Sequence, residues 1–234
     1  MRKFFIVCFV LTIVSCSKEK ELGNMIVQGQ IEGLKKATLY LQKMKDTLVV
    51  SVDSISLMGD DKFILTDNVE SPEMYYLTFD TNVSEKRIMF FGEKGTITIN
   101  DDVANFGVDT KIEGSENQKV FDEYKKMTSR FQGKQLDLMK ANFDAQKAKD
   151  TKKADSLVKV SERYIRNRYL FSVNYALTHP DAEASAFIAL TDLVDANIKL
   201  LDTINNSLTE KVKSSIYGKK LTKFISDIKK KEQQ

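Results

Sequence analysis

The chain has 234 residues, 42% of them hydrophobic, enough to fill a sizeable core in one large domain or two small ones. Its 36 lysines and arginines stand against 33 acids, a formal net charge of +3, and so near-neutral a balance argues against a nucleic-acid binder. Two cysteines and a single histidine exclude a disulfide framework and a multi-histidine zinc centre.

The amino terminus reads as an export leader. Met1, Arg2 and Lys3 precede an apolar run, Phe4 to Val14 with Thr12 inside it, and then come Ser15, Cys16 and the charged stretch "SKEKELGN". A basic start, an apolar core of about 11 residues and a small residue at the cut fit a signal peptide, and the run falls short of the roughly 20 residues that span a bilayer. Ile13-Val14-Ser15-Cys16 resembles the lipobox of bacterial lipoproteins. The resemblance implies cleavage between Ser15 and Cys16, a diacylglycerol on the Cys16 sulfur and an acylated new amino terminus, hence a stable lipid anchor. Residues 1–15 are then the signal peptide and 16–24 the lipidated cysteine with a flexible tether. Cleavage removes Cys8 as well as two positive charges, leaving no free thiol for redox chemistry. Ser17 in place of an aspartate favours the outer membrane, on either its periplasmic face or the cell surface.

From Met25 to about Gly114 the chain is a succession of short alternating runs, "MIVQGQI", "ATLYLQK", "TLVVSVDSI", "DKFILT", "EMYYLTF", "KRIMFFG", "GTITIN" and "TKIEG", separated by turn formers such as Gly59-Asp60-Asp61, Ser71-Pro72 and Asn100-Asp101-Asp102. Seven or eight strands at this spacing predict an antiparallel β-sandwich or barrel over residues 25–114. In "TLVVSVD", Leu48, Val50 and Val52 share one face and are expected in the core.

After Gly114 the apolar period changes from 2 to about 3.6 and residues 115–234 read as helical. Ser115 and Gln118 form a capping-box pattern, followed at helical spacing by Val120, Tyr124, Met127 and Phe131. The first helix is expected to run to about Lys149, with an irregularity at Gly133. A second, from about Lys152 to Leu177, returns beside it as a helical hairpin. His179-Pro180-Asp181 stops it and opens a third helix with the stripe Phe187, Leu190, Val194, Ile198 and Leu201. Ser207 to Glu210 is a second capping-box pattern, opening the last helical section. Strands first and helices later give an α+β protein.

The segments "VQGQIEGLKKATLYLQK", "DSISLMGDDKFILTDNVESPEMYYLTF", "FFGEKGTITINDD" and "IEGSENQKVFDEY" are similar to the N-terminal β-domain, of unknown function, of Gram-negative envelope lipoproteins. "THPDAEASAFIAL" and "LTEKVKSSIYGKKLTKFI" resemble the helical connector that follows it. In many such lipoproteins the connector leads to a thioredoxin-like domain of the AhpC/TSA type, which reduces disulfides through a Cys-x-x-Cys pair. This sequence ends at "SDIKKKEQQ" and contains no Cys-x-x-Cys, so the resemblance supplies no catalytic residue.

The residues add no catalytic constellation. His179, alone and beside a proline, reads as a capping or solvent-exposed residue, and the turn pairs Asp60-Asp61 and Asp101-Asp102 read as local hydrogen-bonders. The expectation is a protein without enzymatic activity, cofactor or metal. Tyr75-Tyr76 and Phe90-Phe91 are the candidate binding surface: strand neighbours point to opposite faces, so one ring of each pair leaves the main core, there to be covered by the helices or exposed to a partner or ligand. Three functions follow: a lipid-anchored envelope interaction or scaffold module, an accessory subunit working in trans with a thioredoxin-like disulfide reductase, and glycan or lipid binding on the sheet face.

Overall fold

The computed structural model describes residues 22–79 and 86–232. Ser15, Cys16 and most of the tether lie outside the described residues. Eight strands come first: β1 (Met25–Glu32), β2 (Lys36–Lys45), β3 (Leu48–Met58), β4 (Lys62–Asp67), β5 (Glu73–Phe79), β6 (Ile88–Gly92), β7 (Gly95–Asp102) and β8 (Lys111–Glu113). They form two open four-stranded sheets, ordered β4-β1-β7-β8 and β3-β2-β5-β6. The sandwich alternative is the observed one, followed by helices as an α+β fold.

Alternation sets the inner faces. Met25, Val27 and Ile31 of β1, Leu39 and Leu41 of β2, Tyr75 and Leu77 of β5 and Ile97 and Ile99 of β7 are all buried in one cluster between the sheets. One pairing departs from the antiparallel expectation: β1 runs parallel to β7, in register from Met25 opposite Gly95 to Glu32 opposite Asp102. A parallel neighbour cannot follow through a hairpin, so β7 returns only after the chain has visited the other sheet. Leu48 is another correction. At 69% exposure it lies outside the core, beside the turn that joins β2 to β3 and opposite Lys45, and Val50 and Val52 are only half-buried.

The β5–β6 side of the second sheet is buried on both faces, which explains its unbroken apolar run "EMYYLTF". Met74 and Phe91 belong to a second core, shared with the helices, against which Tyr76 and Met89 also pack. At Gly92 the tight packing demands glycine, because a Cβ there would collide with the Tyr75 ring and Met25 Sδ.

The helices are α1 (Glu116–Lys147), α2 (Thr151–Thr178), α3 (Glu183–Asp192), α4 (Ile198–Ser207), α5 (Glu210–Ser214) and α6 (Ile216–Glu232). Ser115 caps α1 as expected, its hydroxyl accepting from the Gln118 N–H at 3.0 Å. Gly133 causes no break, and α1 continues through it for 32 residues, about 48 Å at the usual helical rise. Lys149, in the left-handed region at φ 59°, reverses the chain, and Asp150 caps α2 through the Lys153 N–H.

The hairpin is held by a regular heptad seam. Facing inward from α1 are Phe121, Tyr124, Thr128, Phe131, Gln135, Leu138, Asn142 and Ala145, and from α2 Ala154, Leu157, Ser161, Tyr164, Arg168, Phe171 and Tyr175, each spaced alternately three and four apart. Ring pairs such as Phe131 with Tyr164, centroids 5.8 Å apart, link the two helices.

The third predicted helix is two. α3 ends at Asp192, Val194 is half exposed in the link, and Ile198 and Leu201 belong to α4. Pro180 stands in the turn ahead of α3 and not within its first helical turn. The cap of the last section also shifts: Thr209, not Ser207, accepts from the Val212 N–H, and Ser207 donates to the Ile204 carbonyl within its own helix.

Candidate functional site

The four aromatic candidates do not form a surface. Tyr75 and Phe90 are wholly buried inside the sandwich, with ring centroids 5.9 Å apart. Phe91 points to the other face and is wholly buried under the helices, edge-on to Phe121, Phe187 and Tyr217 at 5.4, 5.5 and 6.2 Å. Tyr76 is half-buried, packed on the helical core and covered by the Arg87 guanidinium 4.8 Å from its ring centroid. No aromatic platform for a glycan or lipid is left open at these positions, which corrects the exposed-patch expectation: the helices satisfy the faces the strands turn outward.

Two helix side chains also complete the strands' hydrogen bonding. β6 is an edge strand, and its outward Phe91 N–H donates to Gln118 Oε1 at 2.8 Å. The β2–β5 ladder stops at Lys43 opposite Tyr75, and the Met74 N–H just beyond it donates to Tyr217 Oη at 2.8 Å. Burial, ahead of the nearby Glu73 carboxylate, pushes the Tyr217 phenol up, so it stays neutral at any physiological pH.

Where the link from β6 to β7 meets the first turns of α1, α3 and α5, the junction opens into a cleft of about 960 Å³. Asn117 sits at its base. Its amide donates to Glu93 Oε2 at 2.9 Å and to Glu183 Oε2 at 3.0 Å, while its carbonyl accepts from the Ala184 N–H at 2.9 Å. It thereby caps α3, whose own N-cap residue, Ala182, has no side chain to do so. Glu93 in turn accepts from the Glu116 N–H, adding a second anionic cap to α1. Glu183 is the most enclosed carboxylate, only 1% exposed. Its Oε1 has no hydrogen-bond partner, although the Lys211 ammonium stands 3.4 Å away as an ion pair. The two observations agree once charge and hydrogen bonding are separated: the lysine compensates the charge without reaching hydrogen-bond geometry.

Sequence reasoning missed Asn117, Glu93 and Glu183. A glutamate in a first helical turn ordinarily serves the helix dipole, and nothing local shows that 66 residues separate it from the amide that holds it.

A second polar cluster closes one end of the sandwich. Lys43 Nζ reaches Asp67 Oδ2 at 2.7 Å, Glu73 Oε1 at 3.1 Å and Tyr75 Oη at 3.1 Å, and Tyr75 donates to Asp67 at 2.7 Å. Burial alone would raise the Asp67 carboxyl, but the bonds from Lys43 and Tyr75 outweigh it and hold the group below the usual carboxylate range. Burial likewise opposes the Lys43 ammonium, yet its bonds to Asp67 and Glu73 leave it above the ordinary lysine value.

The remaining sequence candidates have local duties. His179 ends α2, with its ring stacked 4.2 Å from that of Tyr175 and Nδ1 2.9 Å from the Tyr175 carbonyl. Asp60 accepts from the Lys62 N–H in its turn, while Asp101 and Asp102, expected in a turn, end β7, where Asp101 accepts from the Gly107 N–H and the Thr110 hydroxyl of the loop that follows. Among the described residues no group of three or more histidines, cysteines and acids is placed to hold a metal ion, and no helix is long and apolar enough to cross a membrane.

Residues 25–121 match the family model described as Domain of unknown function (DUF4369). The matched segment takes in all eight strands, the Ser115 cap and α1 as far as Phe121, the ring that meets Phe91. An N-terminal domain of unknown function is therefore what the resemblance and the comparison have in common. No curated protein and no solved structure matches the chain.

Proposed function

We propose that this is a lipid-anchored envelope protein without enzymatic activity, working as an interaction module that holds a protein partner through the far half of the α1–α2 hairpin. The observation that carries the reading is an apolar stripe on that hairpin with nothing packed on it. Leu136, Met139 and Phe143 of α1 are 66, 60 and 66% exposed, and Val158 and Ile165 of α2 are about half exposed. Each stands one residue beyond a seam position, and in antiparallel helices those positions share one broad face. Large apolar groups grouped on one face, and not scattered singly, mark a contact surface.

Charge narrows the partner. Residues 134–170 carry ten lysines and arginines against five acids, and Lys140, Lys147, Lys159 and Arg166 flank the stripe, which favours an apolar partner surface with an acidic rim. Anchoring rests on the lipobox at Ser15 and Cys16 and on the tether behind it, which favour the outer membrane. The accessory reading, in trans with a thioredoxin-like disulfide reductase, rests on the family resemblance and requires the partner to carry a Cys-x-x-Cys pair.

A photo-crosslinking residue at position 143, compared with one at position 163 on the opposite face, tests the module. Capture of a defined envelope protein from position 143 alone is expected, while equal capture from both positions, or from neither, would remove the hairpin from the account. Membrane fractionation of a Cys16→Ser variant tests the anchor, which fails if the variant still sediments with membranes.

A further inference from the structure

The cleft at the sheet–helix junction is not used by the hairpin. We infer that it is a binding site for a primary ammonium group, which Glu183 takes by exchange with Lys211. Glu183 Oε2 is already fixed by Asn117, so the carboxylate cannot turn away, and its Oε1 is an acceptor without a hydrogen bond in a wall only 1% exposed. A buried carboxylate oxygen lacking a donor is costly, and a donor that reaches it recovers a charge-assisted bond.

Lys211 does not reach it. Its ammonium stops at 3.4 Å and its side chain is 71% exposed, a weak and displaceable cover from the short helix α5. The cleft walls carry six carboxylates against four lysines, so their net negative charge favours a cationic ligand. One open oxygen suits the point charge of an ammonium better than a guanidinium, whose fork calls for two. At about 960 Å³ the cleft has room for more than the amine itself. The ammonium can arrive on a lysine of a polypeptide or on a free small amine, and both present the same group to Glu183.

Calorimetric titration of the purified full chain distinguishes these sources. The probes are cadaverine, an end-blocked hexapeptide Gly-Ser-Lys-Gly-Ser-Gly with one lysine, and its Nε-acetylated twin. Saturable binding of the lysine peptide alone assigns a polypeptide ligand, and of cadaverine alone a small amine; binding of both means that the ammonium suffices. Where the lysine peptide binds, its acetylated twin should bind at least about tenfold more weakly, as for loss of one hydrogen bond to a charged group. Glu183→Gln, which keeps an acceptor for Asn117, should lose binding. Lys211→Met should bind more tightly, because the internal competitor is gone, and this exposed position does not threaten folding. Failure of both ammonium probes to bind Lys211→Met, or binding unchanged by Glu183→Gln or by acetylation, would overturn the inference. None of these outcomes depends on the hairpin.

Discussion

Tyr217→Phe removes one oxygen atom from the junction and keeps its ring. That oxygen accepts from the Met74 N–H at 2.8 Å across 143 residues of sequence, just past the Lys43–Tyr75 pair where the β2–β5 ladder stops. The ring itself remains wedged against Phe91 and Phe187 at 6.2 and 5.0 Å, so packing changes little. What is lost is satisfaction of a buried donor, which costs about 1–3 kcal/mol. For a chain of this size that lowers the melting temperature by roughly 2–12 °C. Urea unfolding should show the midpoint reduced with the slope unchanged, because the surface exposed on unfolding is the same. If the helices close the sheet as described, Gln118→Met on α1, at the Phe91 N–H, should cost a similar amount. The two substitutions should nearly add, since they serve different strands by different helices. A Tyr217→Phe protein within about 0.5 kcal/mol of wild type would refute the reasoning, for it would mean that the helices do not supply the sheet's missing acceptors.

Other substitutions probe other parts. Gly92→Ala should cost about 1–3 kcal/mol in urea unfolding, because the added methyl meets the Tyr75 ring and Met25 Sδ with no free space. Asn117→Ala uncaps α3 and strips Glu183 Oε2 of its donor, so a loss on the order of 3 kcal/mol is expected, and a change under about 0.5 kcal/mol would contradict the capping role of Asn117. The Lys43–Asp67 pair gives stability a definite pH profile. Asp67 titrates below its unfolded value, so its contribution is complete above about pH 4 and is lost as pH falls through the folded value; Lys43 titrates above its unfolded value, so its contribution is complete below about pH 10 and lost beyond. Asp67→Asn should flatten the acid limb of that profile in unfolding experiments at pH 3–7. Replacing Leu136, Met139 and Phe143 together by Gln should leave the melting temperature nearly unchanged, as these exposed side chains add little to folding, yet abolish partner capture.

The parts of this fold legible in the sequence were those fixed by local periodicity and local hydrogen bonds. Alternation marked "MIVQGQI" and "GTITIN" as strands, where β1 and β7 stand, and the Ser115–Gln118 spacing marked the start of α1. Competing local signals were harder to separate. Ser207 and Thr209 both stand ahead of the last helices, and the break between α3 and α4 shows as a gap in neither the apolar stripe nor the turn residues. Non-local features left no trace at all. Nothing in "MIVQGQI" shows that β1 will lie parallel to a strand 70 residues later, because register between distant strands is chosen by the sheet as a whole. Tyr75 and Phe91 are equally apolar on paper, yet one faces the other sheet and the other faces α1 and α6. The cleft was least visible: Asn117, Glu93 and Glu183 come from three segments, each with an ordinary local reason to carry a polar residue there.

A membrane-held protein that offers the hairpin's apolar face to a partner must show both anchoring and a one-sided contact. Photo-crosslinking in intact cells from position 143, with Cys16 present and with Cys16→Ser, tests both halves together. A single envelope protein captured from the membrane fraction at position 143, absent at position 163 and lost from that fraction with Cys16→Ser, is the predicted result. Capture that ignores the face of the hairpin, or that persists unchanged at the membrane without Cys16, would contradict it.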